Sequence, residues 1–248
     1  MVNDRVKRIT ILRIPVDIVA PGDLEEVIKA MYSDGKNHQI VLLSMTDLMH
    51  ARHSSEFRTM IAGASLVIPI SLSIIKMARF LRRPLPIRYE PFAFIVQVLG
   101  ILERWGKSAY LFGACPKSLT KATKNIKATF PGLHVVGSHS SRFNKNFHPK
   151  IVEAIRKATP TLLLVGSGVP GGERWIPRNL KHFNAGIQLW CSDVFDVFAD
   201  RRHRPPASLF SKGLEWLFYL PRSPYKVFRL VTWFRLKIIG LWYRIRRL

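Results

Sequence analysis

Two glycine-bearing segments have the residue types and spacing for phosphate chemistry. The first reads TLLLVGSGVPGGERW, where Gly166, Gly168 and Gly171 satisfy G-x-G-x-x-G behind an apolar run. Glycines at this spacing let a backbone approach a pyrophosphate, and Asp193, 22 residues beyond Gly171, is a candidate acid for a ribose. The motif is not in the first strand–helix unit, so a glycine loop that serves packing explains it better than NAD(P). The second segment reads AYLFGACPKSLTKAT, with Gly113 at a strand end and Pro116 opening a helix. Such a turn leaves N–H groups for a phosphate or diphosphate, and is also a common α/β connection.

Other polar residues stand more alone. Ser44 and Asp47 follow an apolar run, and Glu90 lies in the 83–91 connection. Carboxylates there serve as a general base or as solvated and capping groups. His50 and His53 are three apart with no third ligand marked, so no metal site is expected. Cys115 and Cys191 are far apart and lack metal-type spacing, which excludes a disulfide framework and a zinc ribbon.

The elements that must position these loops alternate along the chain. Short apolar runs at 39–44, 65–70, 108–112, 133–137, 161–165 and 187–191 read as strands. Amphipathic runs at 22–34, 46–62, 72–81, 92–105, 118–130, 147–158 and 172–183 read as helices between them. The alternation predicts an α/β, Rossmann-like, doubly wound and mainly parallel sheet. Ligands in such sheets sit beyond the carboxyl ends of the strands, which selects the loops after Ser44, Phe112 and Val165.

Composition sets the outer bounds. A hydrophobic content of 48% and a mean hydropathy of +0.07 exclude a disordered chain. The N-terminal segment mixes Asp4, Arg5, Lys7, Arg8 and Arg13 into its apolar residues, so no cleaved signal peptide is expected. A net charge of +23 at pH 7 suits polyanions in general, nucleic acid and anionic lipid included. Roughly half of it falls in 201–248, with twelve Lys/Arg, one acid (Glu215) and ten aromatics. This shift predicts a body over 1–200 and a basic, aromatic-rich appendage over 201–248. In the appendage Val227, Leu230, Val231, Phe234, Ile238, Leu241, Trp242 and Ile245 follow helical spacing, widened by Trp233 and Tyr243. Lys226, Arg229, Lys237, Arg244 and Arg247 lie off this stripe. A basic amphipathic helix rich in Trp and Phe suits an anionic membrane surface, and the alternative is packing on the body or on a second subunit. No recognition motif accompanies the charge, so no specific nucleic acid is expected.

The block GACPKSLTKATKNIKATFPGLHVVGSHSSRF resembles the strand–glycine–helix–PGL block of the WecG/TagA/CpsF glycosyltransferases. Three more blocks follow the family's order, within about residues 40–230. ASLVIPISLSIIKMARFLRRPLPIR resembles the strand–helix with PDG and GRPLPxR, and LLLVGSGVPGGERWI resembles LLVGLGxPKQExWI. VFDVFADRRHRPPASLFSKGLEWLFYLPRSPYKVFR resembles the closing block with FDxxAG and GLEWL. The resemblance implies inverting transfer of a sugar, typically an N-acetylhexosamine, from a UDP donor to an undecaprenyl-diphosphate-linked acceptor in cell-surface polymer synthesis. It implies no dedicated metal or other cofactor, and peripheral attachment at the cytoplasmic face of the membrane. A homo-oligomer stays open.

Matched position by position, Arg88 is the arginine after PLP, and is expected at phosphate or acceptor. Gly113 matches the phosphate-facing loop glycine, and Pro170, Glu173 and Trp175 keep P-x-x-E-x-W. Glu173 is expected either to hold a donor hydroxyl or to cap the next helix. The departures fall at polar positions. The family's catalytic Asp aligns with Ile70, the glycine after it with Ser71, the asparagine after the first strand with Ser44, and an Asp with Ala93. Gly171 and Gly172 replace its Lys-Gln pair. An isoleucine cannot accept a proton, so the catalytic base is unassigned, with Glu90 and Asp47 as candidates. The readings that remain are an active transferase with a rearranged site and a catalytically silent homologue serving as a membrane-bound scaffold or partner in glycan assembly.

Overall fold

A computed structural model describes residues 5–220 and 229–246. In chain order its elements begin β1 (Lys7–Ile11), β2 (Ile14–Ile18), α1 (Leu24–Ser33), β3 (Asn37–Leu43), α2 (Met45–His53), α3 (Ser55–Ala62) and β4 (Leu66–Pro69). There follow α4 (Leu72–Phe80), α5 (Pro91–Arg104), β5 (Ser108–Phe112), α6 (Pro116–Thr129), β6 (His134–His139), α7 (His148–Ala158) and β7 (Leu162–Gly166). The chain closes with α8 (Trp175–Asn179), β8 (Gly186–Ser192), α9 (Val194–Phe198), α10 (Ala207–Lys212), α11 (Glu215–Tyr219) and α12 (Arg229–Ile245). A six-stranded parallel sheet has the order β4-β3-β8-β7-β5-β6, as the alternation of strands and helices predicts. Strands such as β4 and β7 are buried along their whole length, so they read as unbroken apolar runs rather than alternating ones.

The contacts divide the chain into two units. The first comprises Pro21–Val41 and Pro91–His203. It carries β5 to β8 and the first part of β3, and its core gathers Phe112, Ile155, Val165, Trp175 and Ile176. The run at 172–183 forms no single helix here. It breaks into a 3-10 turn at Gly172–Arg174, the short α8, and a second 3-10 turn at Leu180–His182. Pro177 accounts for the first break, because it has no N–H for the carbonyl four residues earlier and an α-helical ladder cannot run back through 172–174.

The second unit comprises the N-terminal hairpin, residues 42–90 and the segment from Arg204 onward. Within it, the expected helix at 46–62 is two helices, because Ser54 takes an extended conformation and its side chain accepts from Phe57 N. The hairpin β1–β2 is a further element, which hydropathy alone did not mark because charged residues interrupt its strands. Leu12 and Arg13 both have positive φ, the requirement of a two-residue turn that matches strand twist. Arg8 pairs across it with Asp17 through two bonds of 2.7 and 2.8 Å. Asp17 is buried and also accepts from Val67 N at 2.7 Å, while Arg8 reaches Ala64 O at 2.9 Å. One ion pair thus ties the hairpin to the start of β4.

Helix α12 packs against α2 and α4 of the same unit. Leu236, Gly240 and Tyr243 are buried on this face. A Cβ at Gly240 would fall 2.6 Å from the Met77 side chain, so a glycine sets the close approach. Arg52 lies over the Tyr243 ring and Arg244 over the Phe80 ring. Val231, Phe234, Ile238, Leu241, Trp242 and Ile245 are exposed. At 3.6 residues per turn they share one arc of about 100° on the side away from the packed face, flanked by Lys237 and Arg244 on one edge and Arg235 and Arg246 on the other. Lys226, Val227, Tyr225, Phe228 and Arg247 lie outside the described residues. Among the described residues no helix is long and apolar enough to cross a membrane.

Replacing Asp17 by Ala leaves the exposed Arg8 without its carboxylate partner and the buried Val67 N without its acceptor. The urea midpoint is expected to fall by an amount equivalent to about 2–3 kcal/mol, and an unchanged midpoint would refute the assigned role of this pair.

Candidate functional site

In the first unit the loops after β5 and β7 are laced together by their backbones. Gly113 has φ +126°, and a Cβ there would lie 2.8 Å from the backbone of Gly166. Only glycine fits both the conformation and the approach. Gly113 N donates to His139 O at 2.9 Å and Ala114 N to Ser167 O at 2.8 Å. Ser141 closes the lacing, its N and Oγ both donating to Ala114 O. The N–H groups of Gly113 and Ala114 are therefore engaged within the protein. The β7 loop opens on a 3-10 turn rather than a long helix, and Asp193, the candidate ribose acid, is ion-paired with Arg202. These features fit the packing reading of the glycine motif.

The P-x-x-E-x-W residues follow on the same loop. Pro170 is exposed and Glu173 half-buried in the 3-10 turn. Trp175 is buried, with its ring 4.9 Å from that of Phe112, and its Nε1 donates to His148 Nε2 at 2.7 Å. The structure thus brings Gly113, Pro170, Glu173 and Trp175 into one neighbourhood at the carboxyl ends of β5 and β7. Beside it, at the start of α6, Cys115 Sγ lies 3.2 Å from Ser118 Oγ, Ser118 donates to Asp196 at 2.6 Å, and Arg201 reaches both Sγ and Oγ. Ser118, and after it Arg201, hold the Cys115 thiol below its ordinary pKa. Burial pushes Cys191 far up.

In the second unit Ser44 and Asp47 form a capping box at the start of α2. Ser44 Oγ accepts from Asp47 N at 3.2 Å, and Ser44 N donates to Asp47 Oδ2 at 2.9 Å. Ile70 directly follows β4, its N donating to Leu43 O, and Met45 N donates to Ser71 Oγ. Ser44, Ile70 and Arg88 are thereby gathered at the ends of β3 and β4. The Arg88 side chain is 9% exposed. Its Nε donates to Ile70 O at 2.9 Å, Nη1 to Phe210 O, and Nη2 to Glu215 Oε1 at 2.6 Å. The guanidinium also stacks on the Phe210 ring, 3.6 Å from its centroid. Burial lowers the Arg88 pKa, while Glu215 and then Glu90 oppose the shift.

Sequence reasoning passed over Glu215, Ser141 and His148. Glu215 was legible only as the one acid in a run of cations, and its partner lies 127 residues away. Ser141 and His148 carry no local signal, since their roles come from loops that meet only in the fold. Among the described residues no group of three or more His, Cys, Asp or Glu is placed to hold a metal.

Residues 9–247 match the profile of the family described as the glycosyl transferase WecG/TagA/CpsF family. Two relatives carry the name N-acetylglucosaminyldiphosphoundecaprenol N-acetyl-beta-D-mannosaminyltransferase. The one from Bacillus spizizenii is 21% identical over 182 residues, covering 73% of this chain and 70% of the relative. The one from Bacillus subtilis is 21% identical over 178 residues, covering 71% and 68%.

The two cysteines are expected to separate in an alkylation experiment on the native chain. Cys115 should reach half-maximal rate with iodoacetamide at lower pH than free cysteine, while Cys191 stays unmodified. A Cys115 curve matching free cysteine would contradict the assigned effect of Ser118 and Arg201.

Proposed function

Because the chain belongs to the WecG/TagA/CpsF glycosyltransferase family, we propose that it transfers a sugar, an N-acetylhexosamine, from a UDP donor to a polyprenyl-diphosphate-linked acceptor in bacterial cell-surface polysaccharide synthesis. The observation that carries this reading is the family match over residues 9–247. The names of the two Bacillus relatives support a lipid-diphosphate-linked N-acetylglucosamine as the acceptor class. In this reading the acceptor hydroxyl displaces UDP in one inverting step. Gly113 and the loop bearing Pro170 and Glu173 border the donor, and Trp175 stiffens that loop from beneath through Phe112 and His148. Ser44 shapes the end of β3 through its cap on α2. Arg88 acts through the groups it holds.

The same reading places the protein peripherally on the cytoplasmic face of the membrane. The exposed stripe of α12, edged by four cations, supports it: apolar side chains enter the interface and Lys/Arg meet anionic headgroups, each basic residue contributing about 1 kcal/mol. A second reading, a catalytically silent homologue acting as a membrane-bound scaffold, is favoured by one observation. Residue 70, where the family resemblance expects an acid, is isoleucine, and Asp47 nearby is committed to a cap.

Calorimetry with UDP, then turnover with UDP-N-acetylhexosamines and a polyprenyl diphosphate N-acetylglucosamine, separates the readings. Binding with turnover is expected, and binding without turnover selects the scaffold. For the membrane, a Phe234→Glu/Ile238→Glu variant, altered only at exposed positions, should lose at least about ten-fold in co-sedimentation with anionic liposomes. Undiminished sedimentation would remove α12 from the membrane contact.

A further inference from the structure

Toward the amino ends of β7 and β8, at the edge of the sheet opposite the glycine rim, the first unit buries a chain of amides. The carbonyls of Leu180 and Phe183 can only accept, so Asn37 must turn Nδ2 to them, at 3.4 and 2.7 Å. Asn37 thereby presents Oδ1 to Gln188, which donates to it from Nε2 at 3.1 Å. Each bond fixes the next, and the atom left over is Gln188 Oε1. It is shielded from solvent, and no donor among the described residues reaches it, in a residue only 2% exposed. A buried acceptor without a donor is costly.

Gln188 also borders a small cavity. Ile155, Leu163 and Phe183 wall it, and the exposed Thr159 and Asn184 stand at its mouth. All of these residues, Asn37 included, belong to the first unit. The cavity leaves about 10 Å³ for the centre of a water-sized molecule, which is the room of one water and too little for a sugar or a nucleotide. Purely apolar cavities stay dry, whereas one that offers polar partners takes up water.

We propose that this cavity is a binding site for one ordered water, which donates to Gln188 Oε1 and makes its remaining hydrogen bonds to the polar groups at the mouth. A neutral donor suits the site better than a cation, because Arg156 also lines it and is itself committed to Glu153 through bonds of 2.8 and 2.7 Å. The bound water completes the amide chain that ties the start of β3 to the 3-10 turn at Leu180–His182. That turn follows the segment carrying Glu173 and Trp175, so the water helps to anchor the segment at its far end. The site is independent of the transferase reading.

The test is a crystal structure of the full-length chain at a resolution that shows ordered waters. A water about 2.6–3.0 Å from Gln188 Oε1, with a second polar neighbour, is expected. Gln188→Met keeps the length of the side chain and removes the acceptor, and the water is expected to be lost from it. If that variant does not fold, the wild-type structure decides alone. In solution, the Gln188 side-chain amide protons should show magnetic cross-relaxation to a long-lived water. An empty cavity, or no such cross-relaxation, overturns the proposal. So does Oε1 held by a protein donor, such as Arg156 swung away from Glu153 or the Asn184 amide. A water that stays in place in Gln188→Met is held by other groups and overturns the role given to Oε1.

Discussion

A guanidinium taken out of water needs partners in place of its hydration, and around Arg88 those partners come from two separate stretches of sequence. Ile70 supplies a carbonyl from the end of β4, Phe210 a carbonyl and a ring from α10, and Glu215 a carboxylate from α11. Taking away Glu215 strands a buried charge, the situation in which ion pairs matter most. The second unit depends on this arrangement, because it fixes where the chain runs as it leaves α10. It also explains why an arginine in a loop is not free to rove after an anion.

The first unit is organised by steric closeness. Gly113 and Gly166 bring two strand-end loops into backbone contact, and Ser141 ties a third segment to the same carbonyl. Loops held in this way lose little further freedom when a ligand arrives, which is the physical meaning of a preorganised rim. Trp175 belongs to the support of that rim, with its indole N–H bound to His148 and its ring among Phe112 and Phe183.

What the sequence made legible follows from how local each cause is. Apart from β6, the parallel strands are largely buried, so their apolar runs stood out, and Pro116 marked a helix start by local chemistry, whereas the break at Ser54 was not read. The hairpin at β1–β2 stayed hidden because its defining feature, Arg8 paired with Asp17, places charges inside strands and becomes favourable only in three dimensions. At the site, the glycine of the β5 loop was found from its strand–glycine–helix context, yet its reason lies in Gly166, far along the chain. Glu215 could not be connected to Arg88 by any periodicity. The stripe of α12 was readable as a stripe, but spacing alone could not say which of its aromatics turn inward. Tyr243 is buried and Trp242 exposed because Met77, Phe80 and Arg52 occupy one side of the helix.

Helix α12 consequently has two apolar faces on opposite sides, one filled by its own unit and the other open. An open row of large aliphatic and aromatic side chains is a colloidal liability in plain buffer, where its alternative to lipid is the same row on another copy. The four flanking cations counter this at low ionic strength by mutual repulsion, and salt removes that protection by screening. The chain is therefore expected to behave in solution as a surfactant-seeking protein. Its apparent size would follow salt and detergent more closely than any fixed assembly.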